Sequence, residues 1–478
     1  MKQMSFKLLL ILLIWTAGGC TKGFDELLHN PNGVQEALPK NLLSPVLYDI
    51  VTTDVKQAFR VGNELMQYTI YTVNNSYVQR YDIRVSAGDS MWGYLYTCAN
   101  NIADMEEKAE ALDQPNYLAI ALTLKALVFS RLTDTYGNIP YFEALHSRGP
   151  VVNFLPKYDK QEEIYASLLE DLERAALLFD KNAELNAGGD LLYQGDVTKW
   201  MKFCNSLRLR LYLRVSNRPE MESPIKIDEI ISNPSLFPIF TNADEQAYLP
   251  FTNEAPYYNP YYNSTTGEFG SQRSPSTFIL NILQGFSDPR LGAWYTKSLS
   301  EYTGAPAGFP IGMADEIGKT SYLKNGYRTS PKLGMVMSYA ELQFILAEAA
   351  LKGWTGSPAD AKTYYENGIK ASMSFWGVSV PSGYLTQIGV AYDDQLSTIM
   401  LQKYLSLFFV GQEAWYEHRR TGYPVLTVHE QAYNNGNIPR RLLYPTTTQK
   451  YNRANYDEAV SWIGGDNINV RCWWEDQL

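Results

Sequence analysis

Four tyrosines bracket a proline turn in the segment PYYNPYYN: Tyr257, Tyr258, Tyr261 and Tyr262. Tyrosine joins a flat apolar face to a polar tip, a surface on which a pyranose ring can lay its C–H groups. Adjacent residues of an extended loop point to opposite sides, so about half of the four are expected to face solvent. Trp294 follows in the same stretch as a further stacking surface, while the Asp288-Pro289 turn before it holds Arg290 against a carboxylate in a structural role. Asn74, Tyr77 and Tyr81, in a polar stretch ahead of a helical pattern, would complete a binding arc with amide hydrogen bonds. These eight residues are the candidate ligand-binding set. The competing reading of each is packing, with loop aromatics anchoring an irregular segment to helices.

Catalytic chemistry finds no comparable foothold. The chain has 51 acidic residues, too many for sequence to single out the paired acids that glycoside hydrolysis needs. No G-x-S-x-G, phosphate loop or dinucleotide fingerprint occurs. The histidines, His29, His146, His418 and His429, do not stand at metal-ligand spacing, and neither H-E-x-x-H nor C-x-x-C is present. No cofactor, no metal and no catalytic residue are therefore expected. Glu413, Glu417, Arg419 and Arg420 form a charged helix end, read as a solvated or salt-bridged face. The net charge of −10 disfavours nucleic acid as a partner.

Cys20 carries a different chemistry. Lys2 and Lys7, the apolar run Leu8 to Trp15 and then Ala17-Gly18-Gly19-Cys20 have the layout of a lipoprotein signal. Residues 1–19 would be removed and Cys20 lipidated. Each buried CH₂ contributes ~0.8 kcal/mol, so two or three acyl chains hold a protein on a membrane. Residues 20–40, with Asn30-Pro31-Asn32-Gly33 and Pro39, read as a turn-prone tether. Of the remaining cysteines, Cys98 and Cys204 fall on apolar helix faces and are expected to be buried free thiols.

The elements that must position the candidate residues are mainly helical. Met91, Leu95, Cys98, Ile102 and Met105 form one stripe, and Leu118, Leu122, Ala126, Phe129 and Leu132 form its partner, ending at Tyr136-Gly137. Further helix pairs are expected at about 160–180 with 196–216, at Ser338 onward with Ser357-Pro358 onward, and at about 393–408 with 412–420. Ser338 and Glu341 have the spacing of a capping box. Repeated helical hairpins suggest a tetratricopeptide-like scaffold over about 41–216 and 336–425. Between them, 217–335 is rich in proline, glycine, asparagine and tyrosine, and reads as a loop-rich binding subdomain with one short helix near 275–285. The 426–478 segment reads as irregular.

Five stretches together resemble the SusD/RagB family of outer-membrane nutrient-binding lipoproteins, in its SusD-like branch. They are Cys20-Thr21-Lys22 leading to Asn30-Pro31-Asn32, the helix end DTYGNIPY at 134–141, DVTKW at 196–200, SYAELQFILAEAALKG at 338–353, and the run from Glu413 to Trp474 with EHRRTGYP, IPRRLLYP and GGDN. The resemblance implies a helical body with four tetratricopeptide-like hairpins and a loop-rich binding face. It also implies a SusC-like TonB-dependent transporter as partner, over which the lipoprotein sits as a lid, anchored by lipid and facing the cell exterior. The expected ligand is an oligosaccharide, with a peptide as the alternative within the family and a surface glycoside hydrolase as the rival outside it.

Overall fold

Helix α1, Pro39–Gln57, buries Leu43, Val46, Leu47, Ile50 and Val51, apolar residues at steps of three, one, three and one that give a single stripe. The computed structural model describes residues 37–74, 76–145, 152–314 and 317–475, so the signal, Cys20 and nearly all of the tether lie outside the described residues. Residues Pro39–Leu478 form one compact unit.

Helix α2, Ser86–Ala111, presents the expected Met91 to Met105 stripe to the core. Helix α3, Pro115–Tyr136, opens with proline at its first position and buries every residue from Asn116 to Tyr136 except Lys125. Such all-round burial makes it the centre of the bundle rather than a surface helix. The hairpin plan continues with α4, Gln161–Leu178, and α5, Val197–Arg214, capped by Asp196, whose carboxylate accepts from Lys199 N–H at 3.1 Å. Helices α6, Ser223–Ser232, and α7, Thr277–Gly285, interrupt the loop-rich segment. The second half of the scaffold holds α8, Tyr339–Leu351, α9, Pro358–Phe375, α10, Leu396–Ser406, and α11, Glu413–Thr421. Between α8 and α9, Gly368 faces the Phe344 ring so closely that a Cβ would sit 2.7 Å from it. The tetratricopeptide-like helical reading is thus the fold observed.

Three sequence expectations change. The 426–478 segment is not wholly irregular, since it forms α12, Thr446–Tyr451, and α13, Arg453–Trp462; α13 is short, and its stripe of Tyr456, Ala459, Val460 and Ile463 fully buries only Ala459. Helix α6 is short and buries only two apolar side chains, Ile227 and Ile230, too few to mark a stripe in the sequence. The capping box at α8 is half made: Ser338 Oγ accepts from Glu341 N–H at 3.0 Å, but the Glu341 carboxylate takes two bonds from Arg210, at 2.7 and 2.6 Å. A bidentate charged partner outcompetes a single backbone donor.

That ion pair belongs to a buried network. Arg214 binds Glu413 at 2.5 Å and Asp134 at 3.2 Å, Lys403 binds Glu417 at 2.7 Å, and Arg420 bridges Glu348 at 2.6 Å and Glu417 at 2.7 Å. Arg131 binds Asp54 at 2.5 Å. The helix end of α11 is therefore salt-bridged and buried, not solvated, and its charges tie α3, α5, α8 and α10 together, while the Arg131–Asp54 pair joins α1 to α3. Burial pushes Asp54 up to about 7 and Asp134 up to about 6 despite their arginines. At Glu348 burial also raises, but Arg420 and then Lys352 outweigh it and hold the carboxyl down at about 2.

Among the described residues, the loop-rich segment is pinned by three two-stranded antiparallel ribbons. Strand β1, Ile70–Tyr71, pairs with β3, Arg273–Ser274; β2, Ala247–Tyr248, with β6, Met335–Met337; and β4, Tyr295–Thr296, with β5, Tyr322–Leu323. Cys98, Cys204 and Cys472 are buried free thiols, and burial raises the Cys98 thiol to about 12, far from a reactive thiolate.

Candidate functional site

Three of the eight candidates are core. Trp294 has no exposed surface: its indole lies 4.5 Å from the Phe408 ring and 5.7 Å from Trp376. A ligand cannot stack on an enclosed ring. The neighbouring Arg290 does hold its turn, with two bonds to Asp288 at 3.0 and 2.6 Å and one to Gln402 at 3.0 Å. Tyr261 is buried between Phe59, at 4.4 Å, and Phe269, at 5.3 Å. Tyr81 is buried with its hydroxyl accepting from Gln67 Nε2 at 3.1 Å. In each case the aromatic anchors its loop, the alternative use that sequence left open.

The other tyrosines of PYYNPYYN remain partly exposed. Tyr258 and Tyr262 stand against each other, ring centroids 4.7 Å apart at 31°, and the Tyr258 carbonyl accepts from Tyr48 Oη at 2.8 Å. Tyr257 packs edge-on to Tyr48 at 5.6 Å and lines a cavity of about 470 Å³ with Gln194, Leu249 and Thr252. Asp190 also reaches this cavity, yet its carboxylate is spent on the backbone N–H groups of Leu192, Tyr193 and Gly195 and on the Trp200 indole. Little polar capacity faces a ligand here.

Asn74 and Tyr77 belong to a differently built surface. Beneath them lies Arg80, fully buried. Its Nε donates to Phe309 O at 2.7 Å and its Nη1 to Asn74 O at 3.0 Å and to Ser76 O. Its guanidinium also stacks on the Phe309 ring, 4.5 Å from the centroid. Its own carbonyl accepts from Tyr433 N–H at 3.0 Å. One side chain and one carbonyl thereby clamp three segments that are distant in sequence: 73–85, 305–314 and 427–437. Gln79 adds a second tie, accepting from Gly308 N–H through its backbone O at 2.9 Å and its Oε1 at 3.0 Å. Gly308 has φ +79°, and a Cβ there would meet Ala432 and Val428 at 2.7 Å, so only glycine lets the third loop approach.

The outward side of this clamp is polar and aromatic. The Arg84 guanidinium covers one face of the half-buried Tyr77 ring, 3.2 Å from its centroid, and pairs with Asp82 at 3.5 Å. Asn74 is exposed, its Oδ1 fixed by Gly312 N–H at 3.2 Å. Tyr433 is 44% exposed, and it and Tyr77 both lie near enough to Arg80 to offset part of the burial that lowers the guanidinium's pKa. Stacking surface, amide, guanidinium and carboxylate are thus gathered on a rigid base, the combination that holds a hydroxyl-rich ligand. Arg84 lay within reach of sequence reasoning, seven residues after Tyr77 in the same stretch. Tyr433 did not, because nothing local connects position 433 with position 80.

A family described as "Starch-binding associating with outer membrane" matches residues 31–445. Among solved structures, a SusD homolog from Bacteroides fragilis has 29% identity and a TM-score of 0.78, covering 93% of this chain and 100% of its own. A chitin-binding protein has 25% identity and a TM-score of 0.78, over 92% and 99% of the two chains. A SusD homolog from Bacteroides uniformis likewise has 25% identity and a TM-score of 0.78, over 91% and 99%. No curated protein matches the chain.

Proposed function

The chain belongs to the SusD-like family, and from that premise we propose that it captures an oligomeric glycan at the cell surface and passes it to a SusC-like TonB-dependent transporter. The observation that carries the reading is the Arg80 clamp, which gathers three loops under an exposed face of Tyr77, Arg84, Asn74 and Tyr433. A sugar ring stacks on the open face of a tyrosine while Asn74, Arg84 and Asp82 exchange hydrogen bonds with its hydroxyls. Binding is the whole of the chemistry: the protein holds the glycan without breaking it. Affinity is modest, since captured ligand has to be released into the barrel. The lipid on Cys20 keeps the body at the outer membrane. That a relative of 25% identity is named for chitin binding supports a glycan over a peptide.

The test is calorimetry of the purified protein against polysaccharides, their oligosaccharides and a peptide panel, with product analysis after incubation. We expect a glycan to bind unaltered and Tyr77→Ala to weaken it about tenfold or more, the usual effect of truncating an aromatic anchor. Peptide binding alone would move the reading within the family, and released sugar would replace capture by hydrolysis.

A further inference from the structure

A second groove, of about 470 Å³, lies between the start of α4, the end of α13 and the tail at 470–473. The volume is within the range of ligand sites, roughly 300–1,000 Å³. Two indoles line it. Trp462 is 41% exposed at the last position of α13. Trp473 is held by its backbone N–H, which donates to Gln161 Oε1 at 2.8 Å, and by Arg218 stacked 5.4 Å from its ring. Lys160 and Glu162, a loose pair at 3.9 Å with both side chains about half exposed, line the same groove. Its floor is rigid, because buried Arg441 donates to Tyr136 O at 3.1 and 2.9 Å and to Asp466 at 2.5 Å.

The groove is not isolated from the Tyr77 surface. Asn434, next to Tyr433, and Asn469, next to Val470 of the groove lining, exchange two amide hydrogen bonds, both 2.7 Å, with both side chains near solvent. From Asn469 to Arg471 is two residues, at most about 7 Å of chain. The paired amides therefore join the loop that carries Tyr433 to the segment that lines the groove.

We infer that this groove is a second subsite for the same glycan, so that one long chain lies on Tyr77 and Tyr433 with its proximal units and on Trp462 with its distal ones. The inference rests on the capture reading above and adds to it a length preference: the second contact is intramolecular once the first is made, which raises affinity for long chains with no change for short ones. Its polar lining and exposed indole face suit a hydroxyl-rich chain rather than an apolar helix.

The experiment is calorimetry of wild type, Trp462→Ala, Trp462→Phe and Tyr77→Ala against malto- and chito-oligosaccharide ladders and the parent polysaccharides. Trp462 is exposed, so its variants are expected to fold, and circular dichroism checks this. Wild-type affinity should climb with chain length; in Trp462→Ala the climb should flatten, with about a tenfold loss for the longest chains, no change for the shortest, and partial recovery in Trp462→Phe. If Trp462→Ala binds every length as wild type does, while Tyr77→Ala loses binding, the second subsite is wrong and capture stands. If wild type binds no oligomer or polysaccharide of either ladder, both fall.

Discussion

Replacing Arg80 with methionine keeps most of the side-chain volume and deletes every donor of the clamp. Four carbonyls lose a charged partner; Val73 O is held only at 3.4 Å, and the three closer ones are Phe309 O, at 2.7 Å, Asn74 O, at 3.0 Å, and Ser76 O. At about 1.5–3 kcal/mol for each bond to a charged group, the ceiling from the three closer ones is about 5–9 kcal/mol. Asn74 is at the surface, so water can replace its bond, which leaves two and about 3–6 kcal/mol. Methionine also escapes the burial that lowers the arginine pKa, so the net loss should be about 2–4 kcal/mol. The loss is local, because the helical network does not pass through Arg80. Hydrogen exchange reads it directly: Gly308 N–H, bonded to Gln79, and Gly312 N–H, bonded to Asn74, should exchange about 30- to 1,000-fold faster while α3 amides keep their protection. Glycan affinity should fall together with that protection. Unchanged exchange at 307–312 with unchanged affinity would refute the clamp as the organiser of the site.

Trp294→Ala should lower stability by about 3–5 kcal/mol through a large core cavity, seen in denaturant midpoints, while the folded fraction binds ligand like wild type. Glu348 gives a pH prediction. Its folded pKa of about 2 lies below the ordinary 4.5, so the folded state binds fewer protons, and the stabilisation is present above 4.5 and lost as pH falls toward 2. The difference of about 2.5 units corresponds to about 3 kcal/mol, and Glu348→Gln should flatten this acid limb in urea titrations between pH 6 and 3. Cys20→Ala should release the protein from the membrane fraction and abolish uptake while ligand binding in solution persists.

The helices were legible because their physics is local. Met91, Leu95 and Cys98 are spaced for one face, and Asp196 and Ser338 announce helix starts that the structure honours. Glu341 was misread because its partner, Arg210, stands 131 residues away, and a capping pattern says nothing of a competing guanidinium. The same limit explains the site. Trp294 and Tyr261 look like ligand platforms by type and neighbourhood, but burial is decided by Phe408 and Phe59, which sequence does not bring near them. Arg80 was passed over among polar neighbours for the converse reason: its value lies in acceptors spread from Asn74 to Phe309.

A common structural solution underlies these sites. Backbone outside helices and sheets needs partners for its carbonyls when it is buried, and this protein folds long irregular stretches onto a helical body. Arginine supplies five donors on one planar head, more than any other side chain. Arg80 serves Phe309 and Asn74, Arg419 serves Arg440, Arg218 serves Glu475 and Arg328 serves Ser264, while Arg441 and Arg419 reach the carbonyls of Tyr136 and Asp134 at the end of α3. The irregular segments are thus stitched from beneath by guanidinium groups aimed at carbonyls, which leaves outer side chains such as Tyr77 and Tyr433 facing solvent. Ligand choice can then reside in a few exposed residues such as Tyr77, Arg84 and Tyr433, and changing them should alter what is bound while the loops keep their course. Changing the arginines beneath should do the reverse, moving the loops before it alters the chemistry they present.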